Sequence, residues 1–355
     1  MSTSAVFAAL AILLALHVAC AGPSAQPAAP ASAPAPAAAS APSTGPASGA
    51  VPAAGAPAPT PGRLTAITIS NPSPAVSILP FYAAIDGGFF ARQGLDASIV
   101  KLAGSAAQAA LSKGEIDFMN SPSEAVIGAS NGFPFKIVFS AWERAPWTLV
   151  GKTEFKTLPD LRDRVVATNR PGTAPYSYLD AALKRAGMTV SDVSILYLTA
   201  TQDDYAALVA GQIDAGVLSP PFDAQAAEQG FHEVQFLGDL LEIPYIGLAT
   251  TEGYLQDHPA EVKGAIRALL DAEDWIRAQP ADAVALLVKY VEVSPPIAER
   301  SYQRMLPLLT KSGETSLDGI RQSLAIQAEI TSREIGVDPQ SIVEFGPLRE
   351  VRAAR

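Results

Sequence analysis

The sequence predicts an α/β protein with two similar lobes side by side, each a doubly wound sheet with flanking helices. Three observations support this: a sharp break in composition, an internal repeat, and the same order of apolar runs in each copy. All 25 Lys and Arg and all 35 Asp and Glu of the 355 residues fall at or after Arg63. Residues 63–355 therefore form the globular part, long enough for two cores or one bilobal domain.

The repeat is seen by sliding the chain along itself. Ala109-Ala110-Leu111-Ser112-Lys113-Gly114-Glu115-Ile116-Asp117 aligns with Ala206-Ala207-Leu208-Val209-Ala210-Gly211-Gln212-Ile213-Asp214, and each copy then reaches a Ser-Pro pair, Ser121-Pro122 or Ser219-Pro220. Upstream, the apolar run ending at Ser70-Asn71-Pro72-Ser73-Pro74 corresponds to Val165-Val166-Ala167-Thr168-Asn169, followed by Arg170-Pro171-Gly172-Thr173. One such match arises easily by chance, but three in the same order do not.

Inside each copy a β-rich run is followed by a Pro/Gly/Ser/Thr loop. Apolar residues at helical spacing come next, Ile78, Tyr82, Ile85 and Phe89 in the first and Tyr178, Leu179, Leu183 and Ala186 in the second. A second strand is expected at 97–102 or 193–198, then a short helix stopped by Gly114 or Gly211, then a strand from Ile116 or Ile213. The order β-α-β-α-β predicts a parallel sheet with helices on both faces, once per copy. In such sheets ligands sit beyond the carboxyl ends of the strands, so two facing lobes place the site between them.

The N-terminal 62 residues carry no Lys, Arg, Asp or Glu. The apolar run at 5–16 is shorter than a bilayer span needs and suits a signal peptide over residues 1–20. It ends at Ala19-Cys20, and Cys20 is the only cysteine. A small residue before a lone Cys resembles a lipoprotein signal, in which the thiol is acylated. Ordinary cleavage between small residues is the alternative, and His17 and the lack of a basic start depart from the lipoprotein pattern. Residues 21–62 are nearly all Ala, Pro, Ser or Gly, a disordered tether by composition. As extended polyproline it would reach about 130 Å.

Charge and residue types exclude several function classes. A net charge of -10 without a basic cluster disfavours nucleic acid. One cysteine at the leader and two histidines in the globular part, His232 and His258, rule out four-ligand zinc chemistry and a Cys-His dyad, so neither metal nor cofactor is expected. No Gly-x-Ser-x-Gly elbow is present. Gly151-Lys152-Thr153 fails as a phosphate loop because Pro146 stands where the first glycine belongs.

Three motifs carry a family resemblance: residues 81–96 (FYAAIDGGFFARQGLD), the paired Ala-Leu-x-x-Gly-x-Ile-Asp segments, and residues 158–167 (LPDLRDRVVA). Over about residues 67–275 the chain resembles the SsuA/THI5-like sulfonate, nitrate and thiamine-precursor receptors, which are type II periplasmic binding proteins. The resemblance implies a two-lobed clamp, with residues 63–143 and 245–355 in one lobe and 144–244 in the other. It implies hinge crossings near 142–147 and 239–246, and C-terminal helices, from 259 onward, that return to the first lobe. It further implies an exported, monomeric, lipid-anchored receptor that takes a small-molecule ligand to an ABC permease with its ATPase. Eukaryotic relatives that act as precursor synthases use a cysteine-rich segment absent here. An enzyme on the same fold, as in menaquinone pathways, and a ligand sensor for a signalling partner remain the rival readings.

The expected ligand contacts are loop residues at strand ends: Asn71 and Ser73, Ser121 and Ser123, Arg170, Gly172 and Thr173, Thr201, and Ser219. Short hydroxyls and glycine at helix starts leave N–H groups free and favour an anionic or strongly polar group, although each Ser or Thr taken alone also suits a plain N-cap. Arg170 is a candidate clamp for a carboxylate or sulfonate, and Glu143 for an amine. Trp142, Phe222 and Tyr245 either wall the cleft or pack at the hinge. On the helix expected at 259–278, Asp271, Glu273 and Asp274 read as a solvated face.

Overall fold

The computed structural model describes residues 63–355 except Ser73, Glu143 and Gly172. The expected leader, Cys20, the tether at 21–62 and those three candidate contacts therefore lie outside the described residues. No helix among the described residues is long and apolar enough to cross a membrane.

The strands are β1 (Thr65–Asn71), β2 (Leu95–Lys101), β3 (Phe118–Met119), β4 (Phe135–Trp142), β5 (Thr148–Gly151), β6 (Val165–Thr168), β7 (Ser194–Tyr197), β8 (Ala215–Leu218), β9 (His232–Phe236) and β10 (Ile246–Thr251). They form two five-stranded sheets, in the orders β2-β1-β3-β10-β4 and β7-β6-β8-β5-β9. Within each sheet the three repeat strands are parallel, as the β-α-β order requires. The fully parallel sheets that the repeat predicts are not formed, because β10 and β5 run antiparallel to their neighbours. These two strands lie outside the repeated unit. The third strand of the first copy is also shorter than its apolar run, with Ile116 buried just outside it.

The helices are α1 (Leu79–Asp86), α2 (Phe89–Arg92), α3 (Gly104–Ser112), α4 (Pro122–Ser130), α5 (Ala174–Arg185), α6 (Thr201–Val209), α7 (Phe222–Glu228), α8 (Glu252–Asp257), α9 (Pro259–Ala278), α10 (Pro280–Val291), α11 (Pro295–Met305), α12 (Leu317–Thr331) and α13 (Gly346–Ala353). The single helix that the spacing of Ile78 to Phe89 suggests is broken into α1 and α2 by Gly87-Gly88, with Gly88 at φ 65°. The core of the first sheet takes in side chains from α9 through α13, such as Ile266, Leu287, Tyr302, Leu324 and Leu348.

The Gly-x-Ile-Asp motif has the same structural job twice. Gly114 and Gly211 take φ near +71° and +72°, the left-handed turn that ends a helix and that glycine adopts without strain. Asp117 then returns to β1, its carboxylate accepting from the Thr68 amide at 2.7 Å. Asp214 does the same on β6, accepting from the Val165 amide at 3.0 Å, and also pairs with Lys152 at 2.6 Å. Each carboxylate fastens a repeat's first strand, β1 at its middle and β6 at its start.

The chain leaves the first sheet after Trp142, enters the second at Thr148, leaves it after Phe236 and re-enters the first at Ile246. Tyr178 of α5, fully buried, bridges both crossings: its hydroxyl accepts from the Ala145 amide at 3.3 Å and donates to the Leu241 carbonyl at 3.1 Å. Arg144 and Asp239 form an ion pair between the same two segments.

Acidic residues of α9 do not form one solvated face. Asp271 and Asp274 pair with Arg355, but Glu273 is buried, with Arg277 at 3.6 Å. Burial holds its carboxyl well above the usual carboxylate range, and Arg277 opposes that only in part.

Candidate functional site

The carboxyl ends of β1 and β3 in one lobe and of β6 and β8 in the other lead into the predicted contact loops. At β3 the chain turns through Asn120 and Ser121 into α4, where Pro122 at the first helical position suits the missing amide donor. At β6 it turns through Arg170 and Thr173 into α5. The starts of α4 and α5 then line one cavity of about 250 Å3, which places Ser123 of the first lobe opposite Thr173 of the second. Helix α12 closes its side with Ser323, Ile326 and Gln327, and Ile243 of the second crossing completes the wall.

A separate, smaller cavity of about 60 Å3 lies at the ends of β1 and β3, lined by Ser70, Asn120 and Ser121 among others. Glu124 lines both cavities. Its carboxylate is held by Gln108 of α3, whose amide donates at 2.9 Å. The Asn120 side chain donates to Asn71 at 3.1 Å, yet its own carbonyl oxygen is buried without a hydrogen-bond partner.

Not every expected contact reaches these cavities. Ser121 lines the small one and bonds Ser123 at 3.0 Å. Asn71 is buried at the end of β1. Thr201 and Ser219 meet each other, the Ser219 amide donating to the Thr201 hydroxyl at 3.1 Å. Thr173 donates to the Arg170 carbonyl at 2.8 Å, which closes the loop, while the Arg170 residue itself is exposed and lines neither cavity. Trp142 is packed rather than open: it is 1% exposed, and its indole N–H donates to the Ser77 carbonyl at 2.8 Å. Tyr245 sits half-buried where the two main cores meet, edge-on to Trp147. Phe222 packs on the second lobe's α6 side, with its ring 5.8 Å from that of Tyr205.

A larger cavity, about 620 Å3, lies on the opposite flank between α7, β9 and α11. Arg304 of α11 crosses it, pairing with Glu233, lying 3.8 Å from Asp223 and stacking over Phe236. Burial pushes the Asp223 carboxyl up to about 6, against the pull of Arg304. Arg144 and Asp239 pair on the same wall. Its charges are largely spent on one another, while both ring nitrogens of His232 on its lining are buried without a hydrogen-bond partner.

Sequence reasoning passed over Asn120, Glu124 and the α12 wall. The signal for Glu124 was available: the first copy reads Ser121-Pro122-Ser123-Glu124 where the second reads Ser219-Pro220-Pro221-Phe222. That difference at one point of the repeat falls on the cavity lining. The α12 contribution has no local signal.

Two sheets joined by two crossings, with helix starts from both facing one cavity, define the two-lobed class of type II periplasmic binding proteins. Residues 75–283, more than half the chain, match the family model described as NMT1/THI5 like, and the chain belongs to that family. A curated relative, the putative aliphatic sulfonates-binding protein of Escherichia coli K12, is 26% identical over 172 residues, 48% of this chain. The match spans 53% of that relative, about half its length. The riboflavin-binding protein RibY of Chloroflexus aurantiacus is 23% identical over 66% of this chain and 68% of its own.

Solved structures share the fold at low identity. The periplasmic aliphatic sulphonate binding protein SsuA of Escherichia coli superposes with a TM-score of 0.69 at 19% identity, over 80% of this chain and 92% of that one. The periplasmic nitrate-binding protein NrtA of Synechocystis gives 0.62 at 15% identity, over 82% and 89%. The desulfurization enzyme DszB gives 0.61 at 14%, over 82% and 99%, so the fold also carries an enzyme.

Proposed function

We propose that this protein is the lipid-anchored solute receptor of an ABC importer, which captures a small polar organic solute between its lobes and delivers it to the permease. The observation that carries this reading is the convergence of α4 and α5, one from each lobe, on a single cavity with Ser123 and Thr173 opposite each other. A ligand held there touches both lobes and so favours the closed clamp over the open one. The lining offers hydroxyls, an amide and one carboxylate but no paired acid and base, which supports binding over catalysis. The names of the relatives, which cover sulfonates, nitrate and riboflavin, support a polar ligand without fixing its charge.

A thermal-shift screen of sulfonates, carboxylates, nitrate and pyrimidines, followed by small-angle scattering on the hits, tests this. A stabilising compound should lower the radius of gyration, whereas an unchanged radius at saturation would favour a rigid, enzyme-like pocket. The anchor is tested separately: cells should incorporate labelled palmitate into the wild type and not into Cys20→Ser, and an unlabelled wild type would remove the lipid from the proposal.

A further inference from the structure

The geometry points to a proton-dependent latch between the lobes, in which α7 of the second stays packed on α11 of the first more firmly when the Asp223 carboxyl is protonated. The latch needs no ligand, so its failure leaves the receptor reading standing. Helix α11 belongs to the first lobe, whose core takes in its Tyr302 and Met305, and α7 to the second, through Ala226. The two helices meet at the cavity of about 620 Å3, where α11 supplies the wall facing Asp223. Asp223 lies in the first turn of α7 and is 9% exposed. Its Oδ1 accepts from the Ala224 amide at 2.8 Å, and its Oδ2 faces the Arg304 guanidinium at 3.8 Å, too far for a hydrogen bond.

Arg304 is itself bonded to Glu233 of β9, and that second carboxylate repels the first, so burial outweighs the guanidinium and the carboxyl stands at about 6. Among the described residues no second cation offsets it. Glu299 and Arg300 of α11 line the cavity but are exposed, and Arg144 pairs with Asp239. On α6, which also packs on α7, Asp204 faces β8 and Asp203 bonds Thr199. Strand β5 presents Thr148 and Val150, without charge. Drawing α11 away from α7 hydrates Asp223, and a hydrated aspartate titrates at about 4. The packed arrangement therefore binds the proton more tightly than the parted one. Below about pH 4 both hold it and the contact is at full strength; the contact weakens as pH rises through about 6 and is constant above. Those two values shift the packed-to-parted ratio about 10-fold between pH 5 and pH 7.5, and about 100-fold in all.

The test is small-angle scattering on the purified full-length protein without ligand, with wild type and variants compared at each pH from 5 to 7.5. The wild-type radius of gyration should fall on acidification. Asp223→Asn, neutral at every pH, should keep the smaller radius throughout. Arg304→Gln removes the cation that opposes burial and should move the fall to higher pH. Histidine is the side chain that ordinarily changes charge in this range, and His232 lines the same cavity, so His232→Asn is the control and should follow the wild type. A wild-type radius that does not change with pH, or that grows on acidification, overturns the latch. A fall that persists in Asp223→Asn, or that vanishes in His232→Asn, overturns it as well. Should Asp223→Asn not fold, Arg304→Gln decides: a fall left at the wild-type pH rejects the proposal.

Discussion

The two lobes share a scaffold but differ at the edge where they meet. Asp117 and Asp214 fasten equivalent strands, Gly114 and Gly211 end equivalent helices, and Ile69 pairs with Phe118 as Val166 pairs with Ala215. At the strand ends the likeness stops. The first lobe leaves the Asn120 carbonyl oxygen unpaired and puts a carboxylate on the cavity, whereas the second ties Thr201 to Ser219 and Thr173 to Arg170, its unpaired group at the end of β6 being the neutral Thr168 hydroxyl. A duplicated unit thus keeps its fastenings, which every copy needs to fold, and diverges at the edge where the copies meet.

The largest expected break in the comparison is at Asp204, whose counterpart in the first lobe is Ala107. Asp204 is fully buried against β8 without a hydrogen-bond partner. Burial pushes its carboxyl up to about 7, and Asp203 adds to the rise. Folding therefore favours the protonated form. Below roughly pH 4 both folded and unfolded carboxyls hold the proton and no penalty arises; it grows as pH rises toward 7 and is constant above. Asp204→Ala, which copies the first lobe, should stabilise the protein at pH 8 by up to about 4 kcal/mol and by little at pH 4. Urea melts at the two pH values read the difference, and equal effects would contradict a buried neutral acid.

A smaller effect separates the two aspartates. Either alanine variant strands a backbone amide, but Asp214→Ala also leaves Lys152 without its partner. We expect a loss of about 2 to 3 kcal/mol for Asp214→Ala and about 1 to 2 kcal/mol for Asp117→Ala, measured by denaturant melts. The reverse order would mean that the Lys152 pair contributes nothing.

The smallest change in stability is expected at Arg304, whose partners Glu233 and Asp223 belong to the other lobe. The Arg304–Glu233 pair is largely exposed and contributes about 0 to 1 kcal/mol, so Arg304→Gln should melt only slightly below the wild type, the drop coming from buried Asp223, which loses a cation 3.8 Å away. Its effect should appear in shape, as a larger radius of gyration without ligand. An unchanged radius would show that the α12 side, where Ile326 packs on the second lobe's core, holds the lobes by itself.

How much of this was legible depended on range. The repeat exposed the parallel strands, the two glycine stops and the paired aspartates because each lies within a few residues of its own motif. Trp142 was readable only as a choice between cleft and core, and the Ser77 carbonyl that decides it is 65 residues away. The cavity wall from α12 comes from a segment more than 100 residues distant from α4 and α5, the pairing of Asp271 and Asp274 with Arg355 from one about 80 residues away, and the exposure of Arg170 from the turn of a single loop. Periodicity reports which face of a helix is buried, not what covers it.

The position of β10 constrains the order in which the protein can be built. It lies between β3 and β4, and β4 has no other strand partner in its sheet. Residues 246–251 are therefore needed to join 135–142 to the strands made earlier, and α9, which packs on α1 and β2, comes later still. A chain synthesised from its N-terminus completes the second sheet before the first can close. Contacts so distant in sequence are slow to form, so the first sheet closes last although its strands β1 to β4 are made first.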